Sequence, residues 1–359
     1  GWAQHFQVSA RNPFALLEHV GEDLPGAVQM VPAARLDAVM SAGAGAVQWL
    51  SEEELGGRLR AVLRDAAETR QPSDVGHFSL AGAQPKLALA FDAEQRRWGV
   101  PSGRAPTTHI FKPPTGDFAH HDSNELFCLR LAQAVGFPVP SATVQSFAGQ
   151  SAIVVERYDR LQVQGRWHRI HQEDMCQALG IFPWHKYQNE GGPGVEAIAK
   201  LLQNHSRAPA EDCLTFLKAQ CFNWVIGGTD AHAKNYALLH GAGGDVRLAP
   251  LYDLGSFLPY RSDKDFQKAK LAMRIDGEYR FARLRCAHWQ ALLTRLQVHR
   301  DLSLAGLAAL ATAIGGASQA VAQSLIDAGL DADFLQPLAC RVRRRAVHCA
   351  TLLESTRLP

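Results

Sequence analysis

The sequence predicts an α+β fold of two lobes, the first containing strands and the second mainly helical. Three observations carry this expectation. Short β-branched or alternating segments crowd the first part of the chain, helical periodicity dominates from about residue 172, and the densest polar run, Gly228 to Asn235, follows an apolar helix directly. The lobes are set at residues 1–157 and 158–359, with a cleft expected between them.

Taken in order, Phe14, Leu16, Leu17 and Val20 form an apolar cluster, and Ala27 to Val31 reads as a strand. Ser51 followed by Glu54 is a capping-box signature, with Leu55, Leu59, Val62 and Leu63 on one helical face and an end expected near Arg70. Phe78 to Leu80 and Lys86 to Phe91 flank a small-residue turn, and Thr107 to Lys112 is a strand halted by Pro113 and Pro114. Asp122 or Ser123 caps a helix running to Val135, and Ala152 to Val155 is a β-branched strand. Helices are then expected over 173–179, 194–202, 211–226, 287–296 and 334–353, interrupted by a hairpin whose strands, Tyr236 to Leu239 and Val246 to Leu248, are joined across Gly241 to Gly244. The uncharged stretch Leu302 to Ile326 is rich in Ala and holds Gln319 and Gln323. It reads as two short buried helices broken at Gly315–Gly316 rather than a membrane span.

With 359 residues, 47% hydrophobic and 20% charged, the chain has the composition of a globular protein, and its formal net charge of +2 gives no reason to expect a nucleic-acid partner. The seven cysteines are dispersed without a C-x-x-C pair, which argues against a disulfide framework or a zinc site and for reduced thiols in a cytoplasmic protein. The opening residues lack an apolar leader core and an initiator Met, so a processed or truncated form is expected.

Within Gly228-Thr229-Asp230-Ala231-His232-Ala233-Lys234-Asn235, an Asp is followed five positions later by Asn, the spacing of a kinase catalytic loop. Taken alone the pattern also suits a polar turn; Asp253, behind the hairpin, adds the position of a metal-binding acid. Phosphoryl transfer spreads negative charge over the moving group, so a protein must supply cations and hold the reactants in line. Asn235 and Asp253 offer hard oxygens suited to Mg2+, Asp230 can take the acceptor's proton, and Lys234 can neutralise the phosphoryl group. In Ser79-Leu80-Ala81-Gly82-Ala83-Gln84-Pro85-Lys86, small residues allow backbone N–H groups close to a phosphate, although taken alone such a segment is more often an ordinary hairpin. Lys112 at a strand end suits a phosphate-pairing lysine or an edge lysine whose stem lies on apolar surface, and Glu125 is a candidate partner for it. Arg341, Arg343, Arg344 and Arg345 read as a solvated helix face, or as a docking face for DNA or an acidic partner. Trp184 and Tyr187, in a Pro/Gly-bounded loop, fit core packing and partner contact alike; His120-His121-Asp122 could suggest a metal, but the adjacent histidines read as exposed polar residues.

Together Ser79 to Lys86, Thr108-His109-Ile110-Phe111-Lys112-Pro113, Val155-Glu156-Arg157-Tyr158-Asp159-Arg160, Gln172 to Gln177, Thr229 to Asn235 and Leu251-Tyr252-Asp253 resemble, in order, the HipA-type serine/threonine kinases, toxins of bacterial toxin–antitoxin modules. The resemblance runs from about Ser9 to the last helix. It implies a protein-kinase-like bilobal fold that uses ATP and Mg2+. Asp230 would be the catalytic base, with Asn235 and Asp253 as Mg2+ ligands. Ser79, Gly82, Ala83, Gln84 and Lys86 would form the phosphate loop, with Lys112, His232 and Lys234 also on the nucleotide and Glu156 and Tyr158 lining the adenine hinge. It further implies autophosphorylation on Ser79, a DNA-binding, HipB-like antitoxin as partner, and an aminoacyl-tRNA synthetase as substrate, so that translation stops and the cell becomes dormant. Two departures stand out: Pro85 replaces the family's usual acidic residue, and typical members carry a further small N-terminal subdomain, either truncated here or supplied by a separate small protein. The alternatives are a small-molecule phosphotransferase of the same broad fold and a catalytically silent co-repressor acting through an antitoxin.

Overall fold

The computed structural model describes residues 6–9, 11–41, 45–64, 84–116, 118–298 and 301–355. Two compact units emerge, one of residues 1–122 with 141–172, the other of residues 123–140 with 173–359.

The first unit is a six-stranded antiparallel sheet. Its strands are β1 (Ala46–Trp49), β2 (Leu87–Asp92), β3 (Arg97–Ser102), β4 (His109–Lys112), β5 (Ala142–Phe147) and β6 (Gln150–Glu156), in the order β1-β3-β2-β4-β6-β5. Helices α1 (Pro13–Val20) and α2 (Ala33–Ser41) precede it, and α3 (Glu52–Arg64) packs on it. α3 starts at the expected capping box: the Ser51 N–H donates to Glu54 Oε2 at 2.7 Å, and the Glu54 N–H to Ser51 Oγ at 3.2 Å. Its inner face, Leu55 and Leu59, meets Leu87, Leu89, Phe111 and Val154, which form the core of this unit. β2 is buried at four successive residues rather than alternating, because it lies in the middle of the sheet under a helix. Ala27 to Val31 forms no strand; Gln29 instead donates to the carbonyls of Glu22 and Gly103. The segments 65–70 and 78–80 lie outside the described residues.

A buried ion network ties down the chain beyond β6. Arg157 and Arg160 both pair with Asp23 and Asp159, and Arg169 joins them on Asp23. Burial alone would raise the Asp159 carboxyl; Arg157 and Arg160 bring it down to about 2. The hairpin β7 (Arg160–Val163) and β8 (Arg166–Arg169) follows, and β9 (His171–Asp174) carries the chain into the second unit.

The second unit is mainly helical: α4 (His121–Ala134, whose first two residues are counted with the sheet unit), α5 (Met175–Ala178), α6 (Val195–His205), α7 (Pro209–Ile226), α8 (Asp263–Phe266), α9 (Cys286–Arg295), α10 (Leu304–Asp327) and α11 (Ala332–Glu354). The expected helix at 173–179 is shorter, because Glu173 and Asp174 finish β9 and Asp174 then caps α5. The hairpin forms as expected from β10 (Ala237–His240) and β11 (Val246–Leu248), with β9 as its third strand.

α10 is one continuous helix, not two. Gly315 does not break it; a Cβ there would lie 2.9 Å from Ala346 Cβ, so the glycine sits where α11 approaches most closely. Among the described residues this helix is long and apolar enough to cross a membrane by length and composition, yet Leu307, Ala311, Ile314 and Ser318 are buried within the unit. The arginines of α11 also divide differently from the expectation of one solvated face. Arg345 donates to the carbonyls of Trp224 and Val225 at the end of α7 and covers the Phe266 ring at 4.4 Å. Arg341 holds the Leu258 and Arg261 carbonyls and Asp263, so only Arg343 and Arg344 are exposed. All seven cysteines are free thiols, five of them buried.

Candidate active site

The second unit assembles its polar centre at the C-terminal end of α7. That helix ends at Gly227, whose φ of +72° is the left-handed conformation that closes a helix, and a Cβ on Gly228 would overlap the Asn223 side chain. The chain therefore turns sharply into residues 229–235. Within that loop the His232 N–H donates to the Asp230 carbonyl at 2.8 Å, and the Asn235 N–H to the His232 carbonyl at 2.9 Å. The Asn235 side chain closes the loop: its Nδ2 donates to the same Asp230 carbonyl at 2.8 Å. The five-residue spacing thus has a mechanical basis, with the buried amide fixing the backbone that carries Asp230.

Asp230 itself is exposed, at 67% of its side chain, and accepts a hydrogen bond from the Tyr187 hydroxyl. His232, buried beside it, places Nε2 3.9 Å from Asp230 Oδ1. Burial, aided by Lys186, holds the imidazole below its usual pKa against the opposing pull of Asp230 and Asp253, which favours a neutral ring. Its Nδ1 is buried without a hydrogen-bond partner among the described residues. The Lys234 ammonium is bonded to the Asp174 carboxylate, so its charge is shared with the acid that caps α5.

The hairpin β10–β11 returns the chain to this loop. The Tyr252 hydroxyl donates to the Lys234 carbonyl at 2.7 Å, fixing the residue before Asp253 against the loop of residues 229–235. Asp253 is exposed and has a φ of +56°, an uncommon backbone for a residue with a Cβ. Beyond it, Ser256 Oγ donates to the Ile226 carbonyl at 2.6 Å and the Ser256 N–H to Asn124 Oδ1 at 3.1 Å. The site thus starts at the end of α7, and its far end is tied back to α7 at Ile226 and to α4 at Asn124.

The donor set suits a hard cation. The Asn235 amide nitrogen is spent on Asp230, which leaves Oδ1 as its acceptor, and Asp253 adds a carboxylate. Among the described residues no group of three or more His, Cys, Asp and Glu could hold a metal by itself. Two protein oxygens completed by phosphate and water are the usual arrangement for Mg2+, so these residues fit that ion better than a cage-bound metal.

The remaining expected residues belong to the first unit. Lys112 ends β4, buried at 7% exposure and paired in register with Ile153. Lys86 directly precedes β2 and is half-buried; Gln84 Nε2 lies 3.2 Å from His121 Nδ1. Glu156 ends β6 with an exposed side chain, and the Tyr158 hydroxyl donates to Gln172 Oε1. Ser79, Gly82 and Ala83 lie outside the described residues. Two residues without an assigned role in the sequence reading touch the polar centre, Tyr187 and Asp174, 43 and 60 positions from their partners. Each lies in a segment with a sequence signal, Tyr187 in the Pro/Gly-bounded loop and Asp174 in the Gln172 to Gln177 segment, but neither signal named a partner.

A family model described as the HipA-like C-terminal domain matches residues 78–324. A protein of Sinorhizobium fredii named as a kinase is 37% identical over 350 residues, which are 96% of this chain and 80% of that one. The serine/threonine-protein kinase toxin HipA of Shewanella oneidensis is 30% identical over 89% of this chain and 72% of its own. Among solved structures, the Shewanella oneidensis complex of HipA, HipB and operator DNA gives a TM-score of 0.82 at 27% identity, covering 99% of this chain and 83% of that chain.

Proposed function

From the premise that this chain belongs to the HipA-like kinase family, with the protein-kinase-like bilobal fold of that family, we propose that it is a serine/threonine protein kinase dependent on ATP and Mg2+ and acts as a growth-arresting toxin in the cytoplasm. The observation that carries this reading is the closed loop in which Asn235 braces Asp230, tied through Tyr252 to the segment bearing Asp253.

In this reading Asp230 accepts the proton of the acceptor hydroxyl as its oxygen bonds to the γ-phosphorus and the bond to the ADP oxygen breaks. Asn235 Oδ1 and the Asp253 carboxylate hold Mg2+, which, when bound, neutralises charge on the phosphates. His232 keeps a neutral ring between the two acids, and so adds no cation that would compete with Mg2+ for them. Lys112 and the segment from Ser79 to Lys86 bind the phosphates, and Glu156 and Tyr158 receive adenine. Residues 1–157 and 158–359 serve as nucleotide-covering and catalytic lobes.

Ser79 is the proposed autophosphorylation site. A phosphate there adds nearly two negative charges where ATP phosphates must sit, so the modified enzyme is silent. A DNA-binding antitoxin is the proposed partner, supported by the relative solved together with HipB and operator DNA, and an aminoacyl-tRNA synthetase is the proposed substrate class. The test is intact-mass spectrometry after incubation with ATP and Mg2+. A phosphate adduct on Ser79, absent in Ser79→Ala and in Asp230→Asn, is the expected result; no adduct and no ADP formation would overturn the kinase reading.

A further inference from the structure

An exposed aspartate ordinarily rotates among several rotamers, and a general base works only in the one that faces its acceptor. Asp230 is exposed, so something must hold it. The one hydrogen bond its carboxylate accepts among the described residues comes from Tyr187, and Oδ2 is left open.

The segment bearing Tyr187 is heavily determined. The N–H groups of Glu190 and Gly192 both donate to the Tyr187 carbonyl, at 3.0 and 2.9 Å, and His185 Nδ1 lies 2.7 Å from the Glu190 carbonyl. Gly191 has a φ of +94°, and a Cβ on Gly192 would overlap the His185 carbonyl. Next along, Gln188 Oε1 accepts from the Arg274 N–H at 2.8 Å, which ties the segment to β12 (Lys270–Ile275). The Tyr187 ring meets the buried His232 ring edge-on at 5.1 Å. Its phenol is raised well above the ordinary range by burial and by the Asp230 charge, so it remains a donor at any physiological pH.

We propose that Tyr187 is a positioning residue: its hydroxyl anchors Asp230 Oδ1 and thereby presents Oδ2 to the acceptor hydroxyl. This rests on the reading of Asp230 as the proton acceptor. The bonds that fix the loop argue against the opposite role, in which Tyr187 would merely occupy the acceptor's place and swing away.

The test compares wild type, Tyr187→Phe, Asp230→Asn and the double variant, all as full chains, by ADP release at saturating MgATP and by calorimetric MgATP affinity. Phe keeps the ring against His232. Tyr187→Phe is expected to bind MgATP within about twofold of wild type but to turn over about tenfold more slowly, the scale of one lost hydrogen bond to a charged group. In the Asp230→Asn background, followed over hours, the same change should cost nothing further. An equal loss in both backgrounds, or a Tyr187→Phe enzyme as fast as or faster than wild type, overturns the positioning role alone. Wild-type turnover in Asp230→Asn would instead overturn the base assignment, and the proposal with it.

Discussion

Asn235→Asp separates two roles that the site gives to one side chain. The substitution is nearly isosteric and keeps an oxygen where a cation ligand is proposed, but it removes the Nδ2 donor to the Asp230 carbonyl at 2.8 Å. The lost bond costs about 1 kcal/mol, and setting a carboxylate oxygen against the carbonyl, which keeps only the His232 N–H, adds about 1–2 kcal/mol in a buried position. At about 2–4 °C per kcal/mol, a sum near 2.5 kcal/mol lowers the melting temperature by about 5–10 °C. Thermal unfolding at pH 8 without nucleotide measures this, and ADP release against Mg2+ concentration measures the other role. Asn235→Asp should be clearly destabilised yet still respond to Mg2+, whereas Asn235→Ala should be less destabilised and lose the response. If Asn235→Asp melts together with wild type, the amide is not bracing the loop, and the mechanical account of the five-residue spacing is wrong.

Two further predictions concern the scaffold. Gly315→Val places a Cβ where Ala346 already stands at 2.9 Å, which should cost about 1–3 kcal/mol in urea unfolding; adding Ala346→Gly should restore most of it, and additive losses would refute the close-approach explanation. His109, held down to about 4 by burial, is neutral in the folded sheet unit, so above pH 6.5 its titration costs nothing. As pH falls from 6.5 towards 4 the unfolded chain takes the proton first, and about 2–3 kcal/mol of stability should be lost. His109→Phe keeps a ring against Trp98 and should flatten that part of the pH–stability curve; an unchanged slope would contradict the assignment.

What could be read from the sequence was mostly what depends on near neighbours. The Ser51–Glu54 box and the end of α7 at Gly227 act within five residues, and each forms as expected; the bond from Asn235 to the Asp230 carbonyl is equally local. Features settled by distant partners were missed. Gly315–Gly316 looks like a helix break until α11 supplies Ala346. Arg345 looks solvated until Trp224 and Val225, more than a hundred residues earlier, offer it helix-terminal carbonyls. Ala27 to Val31 has strand composition, but among the described residues no strand pairs with it. The bond from Tyr187 to Asp230 spans 43 positions with no periodic pattern to announce it.

The most direct trial of the account is a crystal structure of the full chain with Mg2+ and a non-hydrolysable ATP analogue. The expected result is one Mg2+ with Asn235 Oδ1 and an Asp253 carboxylate oxygen at about 2.0–2.1 Å and the phosphates completing its shell, while Asp230 stays outside it. A metal bound without either residue, or one that takes Asp230 as a ligand, would contradict it.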